Sequence, residues 1–288
     1  RKKNDSTFPL KSIMFCLNVA GGAKNIDAAG IVEQNPAYSP HLYDYSQWGI
    51  QEQIREQHEY WYPTLYQGLE LDDALIFKDL WNTEQFPKDY WLDYSPHKRR
   101  TFADDSRKMV ADFVGLNPDQ VYRINHHESH ALYGLYASKV PRDSNCLVVT
   151  IDGSGDGCNA TVQEYKNGVM NPIYETDKCV IGRIYSHVTL LLGMKRLEHE
   201  YKVMGLAPYG NTRYAVTARK VFEDILEIDG VEFKWKNKPK DSYFHFKEKL
   251  EGMRFDNIAA GLQMWVEDVL VEWVQNLVEH TGVKNLVI

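Results

Sequence analysis

The feature that most constrains the fold is the run Cys146-Leu147-Val148-Val149-Thr150-Ile151, which ends in Asp152-Gly153-Ser154-Gly155-Asp156-Gly157. The run does not alternate in polarity, so the strand it predicts must be covered on both faces. The spacing then predicts a glycine loop over 152–157, whose backbone N–H groups can approach an anion closely. Two strand-like segments follow, Asn159–Tyr165 and Val169–Tyr174, joined by Asn167-Gly168, a strong hairpin signal. A helix is expected near Gly182–Gly193. Asp152 falls at the carboxyl end of the buried strand, where open α/β sheets collect their ligand sites.

Strand, glycine loop, strand, tight turn, strand and helix resemble the opening of an actin-like ATPase half-domain. The fold class expected is therefore α/β, an actin-like ATPase (ASKHA) fold incomplete at both ends, with an inserted aromatic-rich helical lobe. Residues 1–35 would be part of the first half and 101–145 its remainder, carrying a His-rich helix. Residues 146–288 would be the second half, truncated. The lobe, 36–100, holds Trp48, Trp61, Trp81 and Trp91 among many tyrosines, broken by Pro36, Pro40, Pro63, Pro87 and Pro96. Such aromatics pack a small core of their own or form an acceptor-binding wall, packing being the commoner use.

Helices are also expected from Pro9, with Ile13, Met14 and Leu17 at helical spacing, and from about Phe102 to Val114. A long amphipathic helix over Asp256–Glu279 places Ile258, Leu262, Trp265, Val269, Trp273 and Leu277 on one stripe. The polar opening Arg1-Lys2-Lys3-Asn4 and the strand-like ending Asn285–Ile288 give the expectation that the chain is a fragment.

Charge narrows the partners. Lys plus Arg number 33 against 40 Asp plus Glu, a formal charge of −7 over 288 residues. That argues against a general electrostatic grip on nucleic acid and leaves room for a local patch such as Lys236, Lys238 and Lys240. No apolar run approaches the roughly 18 residues that cross a bilayer, so no membrane partner is expected. Cys16, Cys146, Cys158 and Cys179 form no CxxC pair, which excludes a zinc ribbon and reads as free thiols in the cytoplasm.

The chemistry concentrates in Asn125-His126-His127-Glu128-Ser129-His130-Ala131. His126 and His130 are four apart, share one helix face, and can hold one metal ion. Neutral imidazoles suit iron, zinc, manganese or nickel, and spacing does not choose among them. Asp152 is the natural third ligand. Further on, in His199–Gly210, Lys202 can neutralise a phosphate and Gly205 permits close backbone approach.

Together, His126–Ala131, the strand ending in Asp152–Gly157, and Glu200-Tyr201-Lys202-Val203-Met204-Gly205-Leu206-Ala207 resemble the nodulation- and antibiotic-type O-carbamoyltransferases in order and spacing. Arg1–Asn4 with Phe8-Pro9, and Asp256–Gln263, resemble two further segments of that family. The resemblance implies a metal-dependent domain related to the threonylcarbamoyl-adenosine enzymes of tRNA modification. A separate C-terminal domain, outside this chain, would combine ATP and carbamoyl phosphate into carbamoyl adenylate. The carbamoyl group would then pass to a small-molecule hydroxyl on a sugar, nucleoside or antibiotic-like acceptor.

Carried over by residue, His126, His130 and Asp152 would hold the metal, iron by resemblance, with zinc and manganese compatible. Gly153, Ser154, Gly155, Asp156, Lys202 and Gly205 would hold the adenylate. Asp152 would serve catalysis through the metal, and His127 is a candidate base set off the shared helix face. A homodimer is compatible with this reading. The fragment alone would be inactive, because a further metal-binding aspartate, a Gly-Gly nucleotide loop and the adenylate-forming domain lie outside it. Asp156-Gly157 also stands where the family often has Gly-Glu. The competing readings are a threonylcarbamoyl-transferring tRNA enzyme, a non-catalytic metal- or nucleotide-binding module, and a sugar-kinase-like enzyme, the last giving no role to His126 and His130.

Overall fold

Hydrophobic spacing lays down the first elements of the computed structural model, which describes residues 10–32, 48–71, 76–80, 107–141 and 143–288. Expectations for Arg1–Asn4, Phe8, Pro9, Pro36, Pro40, Trp81, Pro87, Trp91, Pro96 and residues 102–106 lie outside the described residues. The chain divides into two units, one of Arg1–Trp48 with Asp72–Ser129, the other of Gly49–Leu71 with His130–Ile288.

In the first unit, helix α1 (Leu10–Val19) half-buries Ile13 and Leu17, four residues apart, and leaves Met14 and Phe15 exposed. Strand β1 (Ala29–Val32) follows. In the second unit, helix α2 (Ile50–Glu56) runs into π-helical turns at Gln57–Trp61 and Pro63–Gln67. Pro63 has no N–H to give and crowds the preceding turn, and the helix there is widened. Back in the first unit, helix α3 (107–114) precedes strand β2 (Val121–Ile124), which pairs parallel with β1 from Ala29↔Val121 to Val32↔Ile124. Trp48 and Phe77 are buried there edge to face, 5.2 Å between centroids, so this tryptophan serves packing.

Helix α4 (His126–Ala137) crosses from one unit's residues into the other's. The second unit is built on strands β3 (Cys146–Gly155), β4 (Cys158–Lys166) and β5 (Val169–Thr176). Its remaining helices are α5 (Ile181–Leu191), α6 (Glu200–Leu206) and α7 (Thr212–Glu223), followed by the hairpin β6 (Leu226–Asp229) and β7 (Glu232–Trp235). Helices α8 (Ser242–Lys249) and α9 (Phe255–Thr281) lead to strand β8 (Leu286–Val287).

The main sheet has the order β5-β4-β3-β8, antiparallel through β5, β4 and β3, with β8 parallel to β3. Leu147 and Val149 face a large core with Ile184 and Val188 of α5 and with the α9 stripe. Cys146 and Val148 face the other way, against Ala131 and Leu135 of α4 and against Val287. Two covered faces explain the unbroken apolar run. All six stripe residues of α9 are buried, each worth about 1.5–3 kcal/mol of transfer free energy. The mixed α/β class is as expected.

The glycine-rich segment is not a loop. Asp152–Gly155 continue β3, and Asp156-Gly157 alone make the turn, with φ of 48° and 91°. Asn167-Gly168 repeat that geometry at 52° and 82°, and two successive positive φ values mark the hairpin turn whose twist suits its strands. Between Ile151 and Gly155 the chain takes four steps against two on β4, a bulge. A second register shift falls between Val162 and Gln163, with Pro172 of the outer strand β5 opposite Gln163. The β6–β7 hairpin was not anticipated from sequence. It is pinned by Trp273, whose Nε1 donates to Val231 O at 2.9 Å and whose ring lies 4.9 Å from Phe233.

No helix among the described residues is long and apolar enough to cross a membrane. The four cysteines form no disulfide, and burial pushes the Cys179 thiol up to about 12.

Trp273→Ala is expected to lower the unfolding free energy by about 3–5 kcal/mol, read from urea denaturation. His187, on α5, is driven down to about 3, first by burial and then by the charge of Arg196 and Arg183, against a backbone hydrogen bond at Arg183. The unfolded chain protonates this ring near 6.5, whereas the native state does so only near 3. Stability therefore falls as pH drops through that interval and the loss is complete below it. His187→Gln should flatten the slope of unfolding free energy against pH between about 6 and 4.

Candidate metal centre

Asn125 ends the β2 segment and starts α4. Its Oδ1 accepts from the Glu128 N–H at 3.0 Å and its carbonyl from the Ser129 N–H at 2.9 Å, which satisfies helix donors that otherwise lack partners. The cap makes His126 the first helical residue, and His130 falls one turn later on the same face. The helix itself fixes the two rings relative to each other. Ala131 and Leu135, four apart, dock α4 on the sheet beside Cys146 and Val148. That packing sets the neighbouring His130 stripe over the carboxyl end of the apolar part of β3.

His126, His130 and Asp152 each offer a ligand atom there, all within 4.8 Å of one another. His130 Nε2 lies 3.4 Å from Asp152 Oδ2, with side chains 54% and 37% exposed, so the group is reachable from solvent. Two ligands at about 2.1 Å from one ion in tetrahedral geometry stand about 3.4 Å apart. Two imidazole nitrogens and one carboxylate are also a donor set that leaves coordination positions open. The residues fit a divalent metal.

The other candidates divide. His127 is completely buried, because positions 127, 131 and 135 form the core stripe of α4, and it stands outside the metal group. The same four-residue step that makes a ligand pair of His126 and His130 removes His127 from solvent. Gly153 N–H donates to Asp152 Oδ1 at 2.5 Å, Ser154 is exposed, and Gly155 is buried in the strand. Past the turn, Glu175, Asp177 and Glu232 line a cleft of about 400 Å³ with Gly157, Cys158 and Lys178. Burial first, then Glu175, Asp156 and Asp177, push the Cys158 thiol up. This acidic end repels an anion, so Asp156 is poorly placed to receive a phosphate.

Lys202 and Gly205 are exposed on a separate element, α6, with Lys202 Nζ 5.9 Å from the Tyr201 ring centre. Sequence reasoning passed over Arg183, whose Nε donates to Gly153 O at 3.2 Å. No spacing rule links a residue at the start of one helix to a strand thirty positions earlier, so no sequence signal marked it.

Residues 109–288 match the protein family described as Carbamoyltransferase N-terminus. Nodulation protein NolNO of Sinorhizobium fredii is 26% identical over 189 residues, which is 62% of this chain and 27% of that protein. Nodulation protein NolO of Bradyrhizobium diazoefficiens is 27% identical over 169 residues, 57% of this chain and 30% of the relative. An uncharacterized protein of a Synechocystis strain is 23% identical over 315 positions, 99% of this chain and 44% of its own length. The chain thus spans less than half the length of these relatives.

Metal analysis after dialysis against Co²⁺ or Fe²⁺ tests the centre. His126→Ala and Asp152→Ala are each expected to weaken binding by more than the roughly 10–100-fold that loss of a supporting outer contact costs. Equal metal content in all three proteins removes the site.

Proposed function

The chain belongs to the carbamoyltransferase N-terminus family, and on that premise we propose that it is the transfer-bearing part of an O-carbamoyltransferase. A carbamoyl group is a poor electrophile because its nitrogen donates into the carbonyl, so the donor must carry a good leaving group. Carbamoyl adenylate, made from carbamoyl phosphate and ATP in a domain beyond this chain, meets that need. The acceptor hydroxyl oxygen bonds to the carbamoyl carbon, the carbon–oxygen bond to AMP breaks, and the hydroxyl proton is released. The products are a carbamate ester and AMP.

The observation that carries the reading is the convergence of His126, His130 and Asp152 in a family whose described activity is carbamoyl transfer. Iron is the ion proposed, on the family resemblance alone, and the donors themselves suit zinc and manganese as well. When bound, such an ion supplies Lewis acidity toward a carbonyl or an acceptor oxygen. His130 and Asp152 hold their ligand atoms at a surface open to a substrate, and Asp152 serves the reaction in that capacity. The Gly153 end of the strand, rather than the acidic turn, is the place for the donor's phosphate. His127 is left out as a base, because its ring is sealed from solvent.

The fold expected of such an enzyme is the actin-like one. Support comes from the order β5-β4-β3-β8, in which three antiparallel strands and a long helix are followed by a strand returning parallel to the first. A hydroxyl-bearing sugar, nucleoside or antibiotic-like molecule is the acceptor class.

The full-length protein, given carbamoyl phosphate, ATP and a panel of such alcohols, should yield a carbamate product by mass spectrometry with stoichiometric AMP. Asp152→Ala should lower the rate by about 100-fold or more, the equivalent of roughly 2.7 kcal/mol of transition-state stabilisation. Transfer to tRNA instead would favour the threonylcarbamoyl reading. Metal or nucleotide binding without any transfer would favour a non-catalytic module.

A further inference from the structure

The bulge in β3 raises a problem that the metal site does not solve by itself. Asp152, Gly153 and Ser154 lie where β3 has two more residues than β4, and the register passes from Ile151↔Ala160 straight to Gly155↔Cys158. The ladder that fixes the rest of the strand is therefore interrupted at the residue that must present its carboxylate accurately. A ligand on a loosely held backbone loses metal affinity, because ordering it at binding costs free energy.

Helix α5 makes up the deficit at two points. Gly182 meets the bulge so closely that a Cβ there would stand 3.0 Å from Gly153 Cα, 3.2 Å from Gly153 N and 3.5 Å from the Asp152 carbonyl carbon. Those are backbone atoms, which cannot swing aside as a side chain can. One residue on, Arg183 Nε donates to Gly153 O at 3.2 Å. The N–H of Gly153 in turn donates to Asp152 Oδ1, and Asp152 Oδ2 faces His130 Nε2 at 3.4 Å. The helix that carries this pair is immobilised by the core, where Ile181, Ile184 and Val188 are buried.

We propose that Gly182 and Arg183 are positioning residues for the metal centre, Gly182 by close backbone contact and Arg183 by a hydrogen bond, together locking the Asp152–Gly153 backbone so that Asp152 is presented to the ion. This rests on the reading of His126, His130 and Asp152 as metal ligands. Both residues act through Asp152 and neither touches the ion. Gly182 tolerates no side chain because the bulge occupies its space. Arg183 supplies one fixed donor from Nε while the remainder of its guanidinium stays at the exposed surface.

The test is Co²⁺ titration of the full-length protein, following the ligand-field absorption bands, in wild type, Gly182→Ala, Arg183→Met, Asp152→Ala and the Arg183→Met/Asp152→Ala double variant. Gly182→Ala and Arg183→Met are each expected to weaken Co²⁺ binding about tenfold and to shift the bands, since the carboxylate no longer holds its place. Arg183→Met keeps the side chain's length at an exposed position, so its melting temperature should match wild type. If Gly182→Ala fails to fold, this variant decides the question. The double variant should bind no more weakly than Asp152→Ala alone, because removing Asp152 removes the object of the lock.

Wild-type affinity and unchanged bands in Arg183→Met overturn the proposal, as does an additive further loss in the double variant. Failure of the underlying reading looks different. There, wild type shows no saturable Co²⁺ binding, or Asp152→Ala binds as wild type does.

Discussion

Burial of strand β3 on both faces is the constraint from which the rest follows. Leu147 and Val149 can leave water only if α5 and α9 cover one side, and Cys146 and Val148 only if α4 covers the other. Two of these covering helices then deliver polar groups to the place where the apolar run stops. α4 brings imidazoles, because its core stripe and its His126–His130 stripe are one residue out of phase. α5 brings Gly182 and Arg183 to the backbone just past Ile151. The hydrophobic layers and the polar site are thus the same arrangement seen at different heights along one strand.

Much of this was legible in the residues. The four-residue step from His126 to His130, the end of the apolar run at Asp152 and the α9 stripe each follow a local periodicity, and local periodicities survive folding when their faces are covered. The Asn167-Gly168 hairpin was read from its turn chemistry alone. What escaped was decided by tertiary packing. Glycines at 153 and 155 suggested a loop, yet the pairing of Gly155 with Cys158 keeps the chain extended and confines the turn to two residues. The buried place of His127 was readable from the 127, 131, 135 spacing once the helix was granted. The contact of Gly182 with Gly153 was not, because it depends on where two distant segments meet in space.

Charge changes along the turn end of the β3–β4 hairpin, between Asp152 and Gly157. Toward Asp152, one carboxylate faces an imidazole and the carbonyl of the next residue, Gly153, accepts from Arg183. Toward Gly157, burial first and then Glu175, Asp156 and Asp177 push the Cys158 thiol up. A ribbon of two strands thereby passes from a mixed-charge stretch at Asp152 to an acidic turn within a few residues.

The outer strand β5 has its own consequence. Pro172 lacks an amide hydrogen, and the register shift at Val162/Gln163 bends the ribbon just where it sits. An extended segment from another molecule, sliding along that rim, finds its row of hydrogen-bonding partners broken and twisted midway. Sheet-to-sheet polymerisation is thus discouraged on that side, an anti-aggregation safeguard written into a single imino acid.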